Sequence, residues 1–477
     1  YQLAYADLYD LIPDKKSLKK WEVEMGIKHN ELDVDWSATV EENAKRLDMA
    51  VQEFIDLAAE YNRDDVDATE KLLDYRWADF EARKMLASLT DKPVSTTTNN
   101  LSAAFIFGDD KRPQDKLNWV DLSEEFPGYE YKYDQDKKKM VASYKGVDPS
   151  RGGYVYSNPG VYKNVVEVDV ANMHPRSAIA MKYFGPYADR FEELVNVVGL
   201  LKHPTEENLE KVSHMLGGAL IPYITPGSDI KGLRQSLKIV INAVYGMSSA
   251  SFDNKFKAAK NKDNVIAKRG ALFMINLKEH VESIGYTVIH IKTDSMKIAD
   301  SNQDIIHDVQ DFAKSYGYDM EIAGEYDRIA LIDKAQLIAH YKDGDQLAWH
   351  AIGKEFAEPY VYKTLFTHET LDESDYLITK TTKVGPMYLR DDEQGDEFIG
   401  KAGSFFPSKT GFDLMWLKDD KFNSVSGTKG YKWRVAEELV KPDIDMAYFD
   451  ELRDTAINKI KKVGDLNILF PEGVPVQ

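Results

Sequence analysis

The sequence predicts an α+β protein, and three observations carry that expectation. Residues 1–92 place apolar side chains at helical spacing with few breakers, as in TVEENAKRLDMAVQEFIDLAAEYN. A strand-like run, NVVEVDVA (164–171), leads directly into a helical one. Two alternating apolar stretches, YTVI and KIAD, flank the short polar centre of HIKTDSM (290–296), which is the pattern of an antiparallel hairpin with Asp294 at its tip.

The elements follow in order. DKPVSTTTNNLS, from about residue 93, is polar and turn-rich and marks a boundary. GDDKRPQDK, EEFPGYEYKYDQDKKKM and DPSRGGYVYSNPG read as loops and short strands. After the strand at 164–171, a helix is predicted over 175–184, with Pro175 in its first turn and Gly185 just past its end. Helical material continues to about 220. Two long amphipathic helices are predicted at 229–245 and 264–283, closed by Gly246 and Gly285. The hairpin comes next, and beyond 330 the chain is mixed, with aromatics among lysines in PYVYKTLF and GTKGYKWR. Neither an internal repeat nor a low-complexity tract appears.

The whole chain sets limits. Its 477 residues suggest about three domains, and a hydrophobic share of 43% is ample for buried cores. There is no cysteine, which excludes disulfides, thiolate metal sites and cysteine nucleophiles. No apolar run approaches the roughly 20 residues of a membrane span, and no signal peptide is visible, so a soluble cytoplasmic protein is expected. The chain opens on Tyr1, as a fragment or processed form would. A net charge of −19 counts against a small DNA-binding module. It leaves room for a large enzyme with one basic cleft, because the local field matters more than the sum.

The chemistry sits in three places. The strand puts Glu167, Asp169 and Ala171 on one face and Val166, Val168 and Val170 on the other. Alone, Asp169 could simply cap the following turn. On the helix at 229–245, Lys231, Arg234, Lys238, Asn242 and Tyr245 fall within an arc of about 80°. Such a row can be a solvated basic face. Cations continued by an amide and a phenol also suit a polyphosphate, since Arg and Lys neutralise oxygens and Tyr can stack or hydrogen-bond. Asp294 at the hairpin tip is the third part. A strand-end carboxylate, a cationic helix and a hairpin-tip carboxylate are the components of a two-metal phosphoryl-transfer site. Two Mg²⁺ about 3.5–4 Å apart would activate the attacking oxygen and stabilise the leaving one. Two aspartates suffice where substrate phosphates and water complete the shells.

Three motifs in this order resemble family B DNA polymerases, particularly those of bacteriophages. DVANMHPRS (169–177) resembles the first palm motif, KIVINAVYG (238–246) the fingers motif and KTDS (292–295) the second palm motif. Identifiable motifs cover roughly residues 150–340. The resemblance implies a right-hand architecture: a palm of antiparallel β-sheet and helices, helical fingers and a mixed α/β thumb, preceded by the helical remnant of an RNase H-like exonuclease domain. The implied divisions are 1–92 for the C-terminal part of a truncated 3′→5′ exonuclease and 93–164 for a linker and N-terminal palm elements. They continue with 165–185 for the palm with its first motif, 186–262 for the fingers, 263–330 for the palm with its second motif, and 331–477 for the thumb and C-terminal region.

The same resemblance implies roles. Asp169 and Asp294 would be catalytic and hold two Mg²⁺, or Mn²⁺, with the backbone carbonyl of Val170. Arg234 and Lys238 would hold the incoming triphosphate, while Asn242 and Tyr245 would line the nascent base-pair pocket. His174 stands where the family has the tyrosine that excludes ribonucleotides. SRGG (150–153) resembles the template-side Tyr-x-Gly-Gly segment, assigning Gly152 and Gly153 to DNA. KAQ (334–336) resembles the primer-contact motif, of which Lys334 is kept. Lys429, Tyr431 and Arg434 would meet duplex DNA from the thumb. Lys292 replaces the first aspartate of the family's Asp-Thr-Asp-Ser and is expected to alter metal affinity or contact the primer.

YNRDD (61–65) resembles the third exonuclease motif, with Tyr61 orienting water and Asp65 binding metal; the pair is also an ordinary i, i+4 helix pair. The partner motifs are absent from the preceding residues, so a missing N-terminal segment or a separate polypeptide would have to complete that site. The implied function is template-directed DNA polymerisation from primer-template DNA and dNTPs in phage replication, within a bacterial host cell and without a membrane. The alternative is a DNA-binding or exonuclease subunit that does not polymerise. A reverse transcriptase ranks low, because Ser295 rather than a second aspartate follows Asp294.

Overall fold

The structure is a computed structural model and describes residues 7–12, 15–27, 31–343, 346–391, 395–419 and 421–474. It divides into two compact units, and neither is continuous in sequence. One comprises residues 1–11, 78–353 and 459–474; the other comprises 12–77, 354–458 and 475–477.

The first unit is built on a seven-stranded antiparallel sheet. Its strands are β3 (Val155–Ser157), β4 (Gly160–Val170), β5 (Thr287–Lys292), β6 (Ser295–Ala299), β7 (Met320–Leu331), β8 (Leu337–Asp343) and β9 (Gln346–Ile352), in the spatial order β3-β5-β6-β4-β7-β8-β9. A separate hairpin, β1 (Glu130–Asp134) with β2 (Lys139–Ser143), precedes it. Its helices include α1 (Thr98–Phe107), α2 (Met173–Ala180), α3 (Ala188–Leu200), α4 (Ile230–Ser248), α5 (Val265–Ser283) and α6 (Gln303–Ser315).

The two faces of the sheet differ as the alternation on β4 requires. Val166, Val168 and Val170 join the large core with Ile291, Met296 and Ile298 from the hairpin and Leu272, Phe273 and Met274 from α5. On the opposite face, Val165, Ile289, Tyr326, Ile329 and Leu337 form a smaller cluster. Glu167 and Asp169 share this second face. The hydrophobic side therefore anchors β4 firmly enough to present two carboxylates from the other.

Several element ends differ from the sequence expectation. α2 begins two residues early, at Met173, so Pro175 lies in its first turn. It stops at Ala180, and Lys182 then adopts a left-handed φ of 46° that ends any continuation. α4 runs through Gly246 to Ser248, because the glycine keeps helical geometry. Gly285 is where it was expected, just past α5 with a φ of 95°. The boundary expected at 331 falls inside the sheet, since β8 and β9 extend it by antiparallel pairing to Ile352.

The second unit holds two smaller antiparallel sheets. β10 (Ile378–Thr381), β13 (Ala402–Ser408) and β16 (Lys432–Val435) form one; β11 (Met387–Asp391), β12 (Gly395–Gly400), β14 (Asp413–Lys418) and β15 (Lys421–Ser424) form the other, in the order β12-β11-β14-β15. Trp433, Phe405, Phe406 and Phe449 are fully buried in its core. The 25-residue helix Val51–Tyr75 belongs to the same unit. Among the described residues no helix is long and apolar enough to cross a membrane.

Candidate active site

Strand pairing brings the two aspartates together. β4 lies beside β6 with Asp169 opposite Ser295, the residue after Asp294. The Val170 N–H donates to the Asp294 carbonyl at 2.9 Å, which closes the end of β4 against the hairpin tip. On the other side of β4, Asp169 faces Glu321 of β7. Burial pushes the Asp169 carboxyl up to about 7, and the charges of Asp294, Glu167 and Glu321 add to this against an opposing effect from Lys297. Burial, then the Glu167 charge, also pushes Asp294 up. Carboxylates perturbed by desolvation and by one another mark a site whose charge is left for a ligand to balance.

The hairpin tip is held in an unusual backbone. Thr293 has a φ of 62°, rare for a β-branched residue, and the Asp294 N–H closes a tight turn onto the Lys292 carbonyl at 2.9 Å. The segment before β3 enforces it. The Thr293 N–H donates to the Tyr154 carbonyl at 3.0 Å. Gly153, at a φ of 143°, lies so close that a Cβ there would sit 2.7 Å from Thr293 Cγ2. The second glycine of SRGG thus supports the Asp294 turn, a packing role the sequence does not reveal. Gly153→Ala should therefore displace the tip and destabilise the chain by about 1–3 kcal/mol in thermal or urea unfolding. Gly152→Ala, where a Cβ meets open space, serves as the control. Equal stability of the two variants would refute this role for Gly153.

Beneath the aspartates lies a buried ion pair. Lys297 is only 5% exposed and directs its ammonium to Glu167 Oε1, while the Tyr326 hydroxyl donates to Oε2. The ion pair follows from register, since Glu167 stands opposite Lys297, while Tyr326 reaches Glu167 diagonally from its place opposite Val165. On the neighbouring β5, burial and then the Lys297 charge hold the imidazole of His290 below its usual range. His290 Nε2 is 3.3 Å from the Lys334 carbonyl, which places the turn carrying Lys334 beside this layer. The Lys334 side chain itself is exposed. Lys292 is also exposed and has no ion-pair partner among the described residues.

The second motif pair also meets. His174 on α2 and Tyr245 on α4 stack face to face, with ring centroids 3.9 Å apart and planes 4° from parallel. Burial alone pushes His174 down to about 4, so its ring is neutral at neutral pH, and its Nδ1 lacks a hydrogen-bond partner. Along α4, Arg234 Nε donates to the Val198 carbonyl of α3 at 3.2 Å. Lys238 is half-buried and Asn242 exposed, on the face opposite buried Leu233, Leu237, Val240 and Val244.

The remaining predicted residues lie in the second unit. Tyr61 and Asp65 are both engaged by Lys19, which forms an ion pair with Asp65 at 2.6 Å and lies 4.7 Å from the Tyr61 ring centroid. The Tyr431 hydroxyl donates to Glu451, Arg434 pairs with Glu438 at 2.8 Å, and Lys429 is exposed.

Sequence reading missed Lys297, Tyr326 and Glu321. Lys297 carried a faint signal, as a lone cation between the apolar Met296 and Ile298. Glu321 and Tyr326 reach the site only through the pairing of β7 with β4, which leaves no local trace.

The donor set suits a hard cation, being carboxylate oxygen. Among the described residues no cluster of three or more His, Cys, Asp or Glu forms a metal cage. Asp169 and Asp294 are the residues that could hold such a cation, in the way that Mg²⁺ commonly combines one or two carboxylates with substrate phosphates and water.

No protein-family model matches the chain, and neither does any curated protein. Among solved structures, it is similar to the family B DNA polymerase from the hyperthermophilic archaeon Pyrobaculum calidifontis, with a TM-score of 0.43 and 13% sequence identity. That match covers 96% of this chain and 63% of the archaeal one, so this chain spans less than two thirds of that polymerase's length.

Proposed function

We propose that the chain is a template-directed DNA polymerase of phage replication, which adds deoxynucleotides to a primer 3′-hydroxyl by phosphoryl transfer. The observation that carries this reading is the meeting of Asp169 and Asp294, 125 positions apart in sequence, at one end of β4 and β6. Both carboxyls are raised in pKa, and mutual repulsion contributes to Asp169.

In this reading Asp169 and Asp294, with the Val170 carbonyl, hold two Mg²⁺ or Mn²⁺. When bound, such ions would activate the primer hydroxyl and stabilise charge on the leaving pyrophosphate. The chain's own residues do the rest. Lys238 and Arg234 neutralise the triphosphate, as cations do in phosphoryl transfer generally. Asn242 and Tyr245 border the incoming base, and the neutral ring of His174, fixed by its stack on Tyr245, limits space at the sugar 2′ position. Lys334 and the Gly152–Gly153 segment contact DNA near the hairpin, and Lys429, Tyr431 and Arg434 contact the duplex. Lys292 places a cation next to Asp294 and tunes metal or primer affinity.

The test is extension of a 5′-labelled primer on a DNA template with magnesium, comparing deoxynucleotides and ribonucleotides side by side. Deoxynucleotide extension is expected. His174→Ala is expected to raise ribonucleotide use relative to deoxynucleotide use by about tenfold, the scale of one lost steric contact. Absence of any extension with either Mg²⁺ or Mn²⁺ would overturn the proposal.

A further inference from the structure

The second unit carries a lysine where its strand should be apolar. Alternation along β10 puts Lys380 on the same face as buried Ile378. Lys380 is only 5% exposed, and its ammonium lies 5.5 Å from the ring centroid of fully buried Trp433. It donates to a neutral group, the Ser426 carbonyl at 3.2 Å.

A second cation meets it there. Lys354, exposed at the head of the short helix Lys354–Ala357, points its ammonium at the same loop. A Cβ built on Gly427 would sit 3.4 Å from Lys354 Nζ and 3.5 Å from Lys380 Nζ. The missing side chain therefore leaves open a small space that both ammonium groups border. Among the described residues neither lysine forms an ion pair. Glu358 acts on both through its charge, but its effect at Lys380 is smaller than that of Lys354. Two like charges beside an apolar wall, with no anion in contact, are unfavourable until one of them is discharged or an anion comes between them.

Discharge falls on Lys380. Burial, then the charge of Lys354, holds its amine down to about 8, against the opposing effect of Glu358. Near neutral pH a share on the order of a tenth is then free amine, the nucleophilic form. Its burial admits only a small electrophile. The neighbouring ammonium favours one whose product is an anion. Carbon dioxide meets both conditions, whereas an aldehyde or an acyl donor is larger and leaves no negative charge.

We infer that Lys380 is a carbamylation site, which carbon dioxide converts to a carbamate held against Lys354 over Gly427. The step balances without a further reactant. The free amine nitrogen bonds to the carbon of CO₂, one C–O π pair moves onto oxygen, and one proton leaves the nitrogen for solvent. The product is Nζ–H–COO⁻. Its remaining N–H can keep the bond to the Ser426 carbonyl, and its oxygens accept from the Lys354 ammonium. A repelling pair of cations thereby becomes an ion pair. The site lies outside the aspartate cluster and does not depend on the polymerase reading.

The experiment uses the full chain in carbon-13 bicarbonate at about pH 8, where roughly half of the Lys380 amine is free. Carbon-13 NMR reads the carbamate carbon apart from bicarbonate and dissolved CO₂. A carbamate signal is expected from wild type. It should be lost in Lys380→Met, which keeps the length of the side chain and removes a buried charge. Carbamate at the chain's terminal amine is common to all variants and cancels in the difference. Lys354→Gln changes an exposed residue and should lower the Lys380 signal about tenfold or more, the scale of a lost charge-assisted hydrogen bond. Circular dichroism checks the fold of both, and Lys354→Gln decides alone if Lys380→Met does not fold. The inference is overturned if folded Lys380→Met gives the wild-type spectrum, or if Lys354→Gln keeps the full signal.

Discussion

Primer extension by Asp294→Asn is expected to fall by about a thousandfold or more, equivalent to roughly 4 kcal/mol of transition-state stabilisation. The substitution keeps the size of the side chain and removes its charge. Asp294 sits in a turn defined by backbone bonds to Lys292 and Val170, so the amide has no structural reason to change the tip. Stability should stay level or rise slightly, because one member of a crowded set of carboxylates is neutralised. Loss of extension with retained melting temperature is therefore the signature of a metal-holding aspartate. Extension at wild-type rate would remove Asp294 from the chemistry and the polymerase proposal with it.

Lys297→Met should produce the largest loss of stability, about 3–5 kcal/mol in denaturant unfolding, the cost of stripping one partner from a buried ion pair. The variant leaves Glu167 ionised, with the hydroxyls of Tyr326 and Ser295 but no cation to satisfy it, and with Asp169 and Asp294 close by. The double variant Glu167→Gln, Lys297→Met should recover much of the loss, because removing both charges removes the uncompensated one. A single variant within 1 kcal/mol of wild type would show that the pair is well hydrated rather than buried. The same lysine opposes the upward shift of Asp169. Its loss should raise that carboxyl further and move the rise of activity with pH to higher pH.

What the sequence made legible depended on the range of the signal. Asp169 and Asp294 could be found because period-two alternation in NVVEVDVA and around HIKTDSM fixes which side chains share a face. The row on α4 was legible for the same reason at the helical period. Lys297, Glu321 and Tyr326 were not, because they join the site through registers between strands that are far apart in sequence. Tyr61 and Asp65 show the opposite case. Their spacing matched a catalytic motif, yet at the level of contacts they are tied to Lys19.

The composition of the second unit has a consequence in time. Residues 12–77 pack into a unit whose other main portion begins at Lys354. A ribosome elongating at about 5–20 residues per second needs roughly 15–60 s to cover the interval between them. Throughout that wait the early segment, with Trp21, Phe54 and Leu72 destined for burial, has none of its later partners. The first unit meanwhile receives most of its sheet as one run of chain. Synthesis thus imposes an order on assembly, and the early helices are the part of the nascent chain most in need of shielding.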